Sequence, residues 1–258
     1  MTGVLPVALE ESTKTLQAIL AGGKEYVCVM KLHGDVAADR LAEVFKEFVG
    51  EIFQRPPLRS SVKRRVRTRT VYYLQILEVE GRNLLFKIGC QSGTYVRKLV
   101  HDIGEALGIG SHMFELRRTK AGPFTQDTLV TLHELVDAVA YWREEKNEEA
   151  LRRVIQPGER AVELLPKVVV KDSAVDALCH GAGLALPGIV KLSSEIKEGD
   201  LVAVLTLKGE LVALGRTLMP AQSILEGEKG IAVKTERVVM VVGTYPKAWR
   251  GKTDLTPA

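Results

Sequence analysis

The chain has 258 residues, a net charge of +4 at pH 7 and an ordinary hydrophobic content of 46%. This length allows one large or two medium domains, and no apolar run is long enough to span a membrane. No secretory signal peptide opens the chain. Its three distant cysteines (Cys28, Cys90 and Cys179) show neither metal-ligand spacing nor a disulfide framework. We therefore expect an intracellular, cytoplasmic protein without a cofactor, and the modest net charge alone is a weak indication of nucleic-acid binding.

Periodicity up to residue 57 predicts two helices, a strand and an extended segment. The predicted elements are a helix at 12–20 capped by Ser12, a strand at 26–32, a helix at 35–49 capped by Asp35 and an extended segment at 54–57. The last of these follows from its prolines, since a residue before proline avoids the helical region.

A basic run comes next. Between Arg59 and Arg69 the chain carries six basic residues and no acidic one. A charge run is usually a solvated loop, but this one leads directly into an apolar strand, which favours a phosphate-binding surface on a folded scaffold. The candidate phosphate contacts are Lys63, Arg64, Arg65 and Arg67.

The stretch Ile88–Gly104 predicts a strand end, a tight turn and a helix, after a hairpin formed by residues 71–79 and 84–90. The helical spacing of its apolar residues predicts one buried face. Arg97 and Lys98 lie in the first turn, where the helix macrodipole disfavours cations. This indicates either a site for a carboxylate or phosphate or a pair of solvated surface cations, and the local sequence leaves both open.

The second half of the chain changes character at about residue 160. Before it, Thr131 and Glu134 predict a capping box for a helix at 132–143, followed by a short helix at 148–155. After it, the β-type segments are Val168–Val170, Leu201–Leu207, Leu211–Leu214, Ile231–Val233 and Val238–Val242, with one small helix at 174–179. Such spacing predicts a β-barrel-like module. We therefore predict the α+β class, with a mixed α/β domain over residues 1–160, a β domain over 161–245 and a tail over 246–258.

Several motifs, in the right order, resemble those of the TruB-like pseudouridine synthases, and within them the archaeal relatives of dyskerin, the catalytic subunit of H/ACA ribonucleoproteins. The matching segments are Lys24-Glu-Tyr26, Gln54-Arg-Pro-Pro-Leu-Arg-Ser-Ser-Val-Lys63, Ser92-Gly-Thr-Tyr-Val-Arg97 and Leu116-Arg-Arg-Thr-Lys-Ala-Gly-Pro-Phe124. The segments His180-Gly-Ala-Gly183 and Leu186-Pro-Gly-Ile189 resemble a PUA domain, an RNA-binding module. The resemblance covers nearly the whole chain and implies the family's mixed sheet followed by a small PUA barrel.

The resemblance also implies the activity, which is isomerisation of uridine to pseudouridine in rRNA, with tRNA as a further candidate. Chemistry on a base requires the base to leave the stack. A carboxylate is implied to act on the ribose, kept ionised by Arg97, because an opposite charge favours the charged form. Tyr26 is implied to stack on the flipped base and Leu116 to line an apolar wall. No metal or organic cofactor is implied.

RNA and protein partners follow from the same resemblance. Arg117 and Arg118 are further candidate phosphate contacts near the cleft. Gly181, Ala182 and Gly183 are implied to let the backbone approach a guide RNA near its ACA end, although ordinary turn glycines are an equal alternative. The implied partners are a guide RNA, a substrate RNA and three small proteins, one zinc-ribbon-like, one of the glycine-arginine type and one a kink-turn-binding ribosomal-type protein.

The family's catalytic aspartate has no counterpart in the sequence. The motif runs Gly-Thr-Leu-Asp-Pro, two variable residues and Ser/Thr-Gly-Val-Leu-Pro-Val, whereas the chain begins Met1-Thr-Gly-Val-Leu-Pro-Val7, inside the motif. We expect an incomplete gene model or a truncated chain that is inactive as it stands and folds poorly through an exposed sheet edge. Asp35, Asp39 and Asp102 lie outside the motif, and Asp102 is expected to face solvent or to pair on its own helix.

Two other classes of function remain as alternatives. A non-catalytic RNA-binding scaffold fits the basic run, the PUA-like module and the missing aspartate. A hydrolase built on Cys90 or Ser92 with His101 is disfavoured, because the serine is one position late for a G-x-S-x-G elbow and Cys90 falls on an apolar face. The scattered histidines His33, His112, His133 and His180 predict packing or surface roles rather than a metal site.

Overall fold

The computed structural model describes residues 2–56 and 63–247, which fall into two units. The first comprises the residues up to Pro6 together with Leu20–Tyr141, and the second comprises Val7–Ile19 together with the chain from Trp142 onward. Among the helices in this part of the chain, none has the length and apolarity of a membrane span. The predicted α+β class is confirmed, with one sheet in each unit.

The elements, in chain order, begin with those up to residue 145. They are β1 (Thr2–Gly3), α1 (Leu16–Ala21), β2 (Lys24–Leu32), α2 (Ala38–Glu47), β3 (Gly50–Gln54), β4 (Arg67–Glu80), β5 (Asn83–Cys90), α3 (Val96–Ala106), β6 (Ser111–Ala121), β7 (Phe124–Thr125) and α4 (Leu132–Glu145). The later elements are α5 (Glu149–Val154), β8 (Lys167–Val170), α6 (Asp172–Cys179), β9 (Leu184–Ala185), β10 (Ile189–Leu192), β11 (Leu201–Leu205), β12 (Leu211–Thr217), α7 (Ala221–Glu226) and β13 (Ile231–Val238). Short 3-10 turns occupy Glu10–Thr15, Gln126–Thr128, Gly158–Val162 and Leu186–Gly188.

The first sheet has the strand order β1-β6-β2-β5-β4-β3, with β7 paired to β6. All of its pairs are antiparallel except β1 with β6, which is parallel. The predicted hairpin is confirmed as β4 and β5. Alternate residues of β2 and β5 point to one face, where they are buried with the apolar sides of α2 and α3 in a single cluster. This cluster explains the period-two and helical patterns of the sequence, and it seats α3 on the sheet.

The pairing of β2 with β6 is interrupted beside Tyr26. Glu25 pairs with Lys120 whereas Tyr26 pairs with Arg118, so Thr119 is an extra residue in β6. An extra residue of this kind is a β-bulge, which re-aims the side chains around it. The bulge therefore sets which β6 side chains share a face with Tyr26.

The second sheet has the order β10-β8-β11-β12-β13-β9 and encloses its own core. Val168, Val204 and Val212 are fully or almost fully buried there beside Val175 and Leu178 of α6. The predicted β module thus exists as a folded unit with a helix at the expected place.

Three local predictions were wrong. Asp35 does not cap α2, which begins at Ala38, because Arg82 on the β4–β5 turn binds both carboxylate oxygens at 2.8 and 3.3 Å. Ser12 lies inside a 3-10 turn that begins at Glu10, where its hydroxyl accepts from the Leu9 amide at 2.9 Å. The segment Val238–Val242 is not a separate strand, since β13 already ends at Val238.

Candidate active site

The candidate site lies at the end of the first sheet where β5 finishes at Cys90 and α3 follows. Tyr26 sits there on β2, opposite Ile88 of β5 and Arg118 of β6. Its ring is half-buried and packs against the core cluster. Burial raises the pKa of the Tyr26 phenol, and the nearby Arg118 guanidinium opposes that rise through charge and a hydrogen bond. The phenol is therefore protonated at neutral pH, with a cation beside it.

Arg118 joins Tyr26 to the first strand. Its Nε donates to the Val4 carbonyl at 2.5 Å, and its own backbone carbonyl accepts from the Val4 amide at 2.8 Å. Burial lowers the pKa of Lys24, and the positive charge of Arg118 lowers it further. Two cations thus lie close together beside Tyr26.

Leu116 is on β6 opposite Cys28, two residues from Arg118, and it is buried in the same cluster against which Tyr26 packs. The structure therefore brings Tyr26, Leu116 and Arg118 together on two adjacent strands. Arg117 is exposed, and alternation along the strand directs it to the opposite face.

Arg97 is in the first turn of α3, as predicted, and its side chain is exposed. Within residues 2–56 and 63–247 its guanidinium has no hydrogen-bond or ion-pair partner. Tyr95, the residue before α3, is held instead by the buried Gln54, whose Nε2 donates to the Tyr95 carbonyl at 3.2 Å and whose Oε1 accepts from the Tyr95 amide at 2.9 Å. Gln54 opens the proline-containing motif, but its place in the sequence does not predict this contact.

Glu25 forms a second unpredicted cluster on the opposite side of β2 from Tyr26. Its carboxylate accepts hydrogen bonds from Thr119 at 2.6 Å and from the hydroxyl of Tyr73, and it pairs with Lys87 at 3.1 Å. Burial raises the pKa of Glu25, but these three donors outweigh burial and bring the pKa below its usual range. Burial and the neighbouring Glu25 raise the pKa of Tyr73 to about 12.

The basic run is only partly described, because residues 57–62 of the proline-containing motif lie outside the described ranges. Lys63, Arg64 and Arg65 are exposed before β4. Arg67 and Arg69 begin β4, and the Nε atom of each is buried without a hydrogen-bond partner in the described part of the chain. The Arg69 guanidinium lies 3.2 Å from where a Cβ on Gly93 would stand, and Gly93 adopts φ +83°, a conformation that other residues rarely adopt.

The glycine loop of the second unit has a structural explanation of its own. After α6, Gly181 adopts φ +87°, its amide bonds to the Leu178 carbonyl, and the Ala182 amide bonds to the Ala177 carbonyl. This is the Schellman arrangement, which ends a helix with a glycine. Gly183 lies so close to Ile231 that a Cβ would be 2.8 Å from Cγ2 of that residue. Gly181, Ala182 and Gly183 are all exposed, and their contact with RNA remains a prediction.

The side chains of the rejected hydrolase do not form a reactive group. Cys90 is buried, and burial raises the pKa of its thiol to about 11, so it is not a thiolate at neutral pH. His101 lies on the exposed side of α3 near Asp102. Asp102 pairs with Lys98 on the same helix, as expected.

Two of the histidines are neighbours in space. His33 Nε2 lies 2.8 Å from His112 Nδ1, with the rings tilted by 38°. The sequence does not predict this contact, because the two residues lie 79 positions apart. In the described ranges, no group of three or more histidine, cysteine, aspartate or glutamate side chains is placed to hold a metal ion.

Three family models match the chain, and together they define its class. Residues 1–96 match the N-terminal domain of the TruB family of pseudouridylate synthases, residues 97–163 match the C-terminal domain of tRNA pseudouridylate synthase B, and residues 166–239 match a PUA domain. The chain belongs to the TruB family of pseudouridine synthases.

Two similar relatives within that family are archaeal proteins. It is 60% identical over 250 residues to the probable tRNA pseudouridine synthase B of Pyrococcus furiosus, covering 96% of this chain and 74% of that protein. It is 57% identical over 253 residues to the corresponding protein of Methanopyrus kandleri, covering 98% of this chain and 75% of that protein.

Two solved structures share the fold across both units. A crystal structure of a Cbf5–Nop10–Gar1 complex matches with a TM-score of 0.91 and 60% identity, covering 95% of this chain and 75% of that one. An H/ACA ribonucleoprotein bound to a substrate RNA containing 2′-deoxyuridine matches with a TM-score of 0.88 and 57% identity, covering 96% and 75%.

Proposed function

We propose that this chain, together with the family's motif aspartate, forms pseudouridine from uridine in RNA as the catalytic subunit of an H/ACA particle directed by a guide RNA. One observation carries the proposal: a half-buried Tyr26 stands beside Arg118 at the end of the sheet from which α3 presents Arg97. The relatives solved in H/ACA complexes, one of them with substrate RNA, support the choice of particle. Ribosomal RNA is the proposed substrate, with tRNA as a second one.

Tyr26, Leu116 and Arg97 have different proposed roles, which follow from the chemistry of their side chains. The uridine leaves its stack, and the Tyr26 ring offers an apolar face on which the flipped base stacks. Leu116 belongs to the apolar wall behind it. The exposed Arg97 guanidinium, which has no partner in the described part of the chain, is available to keep a carboxylate ionised beside the ribose.

We propose that this carboxylate comes from the family's Gly-Thr-Leu-Asp-Pro motif, which the 258 residues do not contain. The other candidate aspartates are poorly suited. Asp35 is engaged by Arg82, Asp102 by Lys98, and Asp39 is exposed in the first turn of α2. The chain by itself is therefore expected to bind RNA without turnover.

Cations of the first unit and the PUA unit supply the proposed RNA contacts. Lys63, Arg64, Arg65 and Arg117 are exposed, as phosphate contacts require. The buried Nε atom of Arg67 lacks a partner among the described residues, which favours a bound oxygen ligand there. The loop Gly181–Gly183 is the proposed contact for the guide RNA near its ACA end.

The proposed protein partners are the small subunits of such particles. The solved relatives include complexes with Nop10 and with Gar1. We propose that the zinc-ribbon-like partner corresponds to Nop10 and the glycine-arginine-type partner to Gar1. A third proposed partner is a kink-turn-binding ribosomal-type protein that joins the particle through the guide RNA.

A single assay tests the proposal. The 258-residue chain is compared with a chimera that begins with the N-terminal segment of the Pyrococcus furiosus relative, and with the same chimera carrying asparagine for its motif aspartate. Each is mixed with guide RNA, partner proteins and a substrate RNA tritiated at C5 of the target uridine, and tritium release is measured. We expect release only from the aspartate chimera, and release from the 258-residue chain would overturn the aspartate assignment.

The second candidate function is a non-catalytic RNA-binding scaffold, favoured by the exposed cations Lys63, Arg64 and Arg65 and by the matched PUA domain. It predicts guide-RNA binding by all three proteins and tritium release by none. Product from the aspartate chimera alone would reject it for the lineage.

A further inference from the structure

We propose that Arg118 is a positioning residue, which ties the segment Thr2–Val4 to the strand that carries Tyr26. The sequence suggested a phosphate contact for this residue. In the structure its Nε instead donates to the Val4 carbonyl at 2.5 Å, and Arg118 is the β6 partner of Tyr26, where its charge opposes the rise in the pKa of the phenol. Arg118 thus binds the segment Thr2–Val4 and stands beside the proposed base-stacking residue.

The first strand is short, so this contact matters. β1 comprises only Thr2 and Gly3, which pair in parallel with Arg117 and Arg118. A two-residue strand has few ladder bonds, and the side-chain bond from Arg118 extends its attachment to Val4. The Val4 amide also donates to the Arg118 carbonyl at 2.8 Å, so Arg118 holds Val4 through backbone and side chain together.

Gly3 permits the close approach of the two strands. It adopts φ +101°, and a Cβ at this position would lie 2.1 Å from the Arg118 carbonyl oxygen. Only glycine fits both the conformation and the space. The glycine of Met1-Thr-Gly-Val-Leu-Pro-Val7 is thereby explained by its contact with Arg118.

The bulge at Thr119 determines the face of the sheet to which the Arg118 side chain points. A shift of one residue in a strand exchanges the two faces of the sheet, and the extra residue at Thr119 makes Arg118 rather than its neighbour the partner of Tyr26. Glu25 holds Thr119 in place through the 2.6 Å hydrogen bond on the other face. The half-buried Arg118 and the exposed Arg117 are the result.

The consequence for catalysis rests on the proposed function. In the family motif the aspartate stands four residues before the position of Thr2, so anchoring Val4 sets the direction in which that carboxylate approaches Tyr26 and Arg97. Arg118 acts through the segment and through the phenol, and not on the reacting atoms.

Arg118→Gln is the test, with Arg117→Gln as the matched control on the adjacent residue. Hydrogen exchange of the segment 2–9 is measured on the 258-residue chain, together with the 13Cζ signal of Tyr26 from about pH 8 to about pH 12.5, which lies above the ordinary tyrosine range, assigned by Tyr26→Phe. Loss of a charge-assisted hydrogen bond is expected to speed exchange at Val4 roughly tenfold. Removal of the cation is expected to move the Tyr26 titration to higher pH.

Two further variants separate positioning from general loss of structure. Arg118→Lys keeps a charged donor and is expected to restore most of both signals. Gly3→Ala is expected to speed exchange of segment 2–9 while leaving the Tyr26 titration unchanged, since the Arg118–Tyr26 contact persists. Equal effects of Arg117→Gln and Arg118→Gln, or an unmoved Tyr26 titration in Arg118→Gln, would overturn the proposal. Neither readout needs turnover, so the result stands apart from the pseudouridine assay.

Discussion

Glu25 connects four strands of the first sheet through one carboxylate. It lies on β2 and takes donors from β4, β5 and β6 through Tyr73, Lys87 and Thr119. A carboxylate that accepts several bonds is a strong local constraint, since each bond to a charged group is worth more than a neutral one. Glu25, the residue next to Tyr26, therefore stabilises the bulge from the face of the sheet opposite the candidate site.

Glu25→Gln is expected to lower the free energy of unfolding at pH 7 by about 1–3 kcal/mol. Folding lowers the pKa of this carboxyl below its ordinary 4.5, so its stabilisation is complete at neutral pH and is lost as the pH falls through the lowered value. The difference between wild type and variant in urea unfolding is therefore expected to shrink below about pH 4.

Glu115→Gln supplies the control for this prediction. Glu115 is an exposed glutamate on β6. Its substitution should leave the free energy of unfolding unchanged within about 0.5 kcal/mol. A difference for Glu25→Gln that stayed constant from pH 7 to pH 3 would contradict the role given to its charge.

At the scale of elements, α3 is held to the sheet near both ends. The Gln54 side chain forms two hydrogen bonds with the backbone of Tyr95, the residue before the first turn of α3. Near its other end Gly104 touches β6, where a Cβ would meet the Ser111 amide nitrogen at 2.3 Å, and the Ser111 hydroxyl donates to the Val100 carbonyl at 2.6 Å. The orientation of Arg97 depends on these contacts rather than on the helix alone.

Gln54→Ala is expected to cost about 1–3 kcal/mol of stability, because a buried amide that makes two hydrogen bonds is removed. In the aspartate chimera it should also reduce tritium release, by a lower kcat more than by a higher KM, since Arg97 loses its fixed position. Gln75→Ala, at an exposed position of β4, is the control. Equal stability and equal kcat in the two variants would show that the hydrogen bonds between Gln54 and Tyr95 are not needed.

Gly104→Ala tests the contact between α3 and β6. Alanine gains up to about 1 kcal/mol of helix propensity over glycine, but the forced separation of helix and strand is expected to cost about 1–3 kcal/mol, so thermal unfolding should occur at lower temperature. Gly158→Ala, where no atom lies within 4 Å of the added Cβ, is the matched control. A variant at Gly104 as stable as wild type would contradict the close packing.

At the scale of the whole molecule, the two units have separate cores and separate sheets. The second unit includes Val7–Ile19, and Gln17 of this segment donates to Glu236 of β13 at 3.0 Å. The net charge is only +4, and six basic residues are concentrated in the run before and at the start of β4. Local cations rather than overall charge are therefore expected to govern RNA binding.

The double variant Lys63→Ala, Arg64→Ala is expected to weaken RNA binding across sequences and to reduce the slope of log K against log salt by about 1–2. The measurement is filter binding of guide RNA between 50 and 300 mM salt, roughly the range in which such slopes are resolved. Arg40→Ala, Lys46→Ala removes two exposed charges from α2 and serves as the control. The same slope in both double variants would remove the basic run from the RNA interface.

Local sequence patterns correctly predict the α+β class, the β4–β5 hairpin, the helix α3 with its buried face, and the capping box in which Thr131 and Glu134 bond each other's backbone amides. The motifs of the sequence also identify the family. These features depend on residues close in the chain, where burial of one face or closure of one turn imposes a period or a fixed spacing.

The contacts that hold the candidate site together become visible only in the folded chain. The bonds of Gln54 with Tyr95, Glu25 with Thr119 and Arg118 with Val4 join residues 41, 94 and 114 positions apart. Contacts across such separations depend on strand order and on one bulge, and they leave no periodic trace in the sequence. In the sequence Arg118 therefore resembles any surface cation. In the fold it binds the Val4 carbonyl and pairs across the strands with Tyr26.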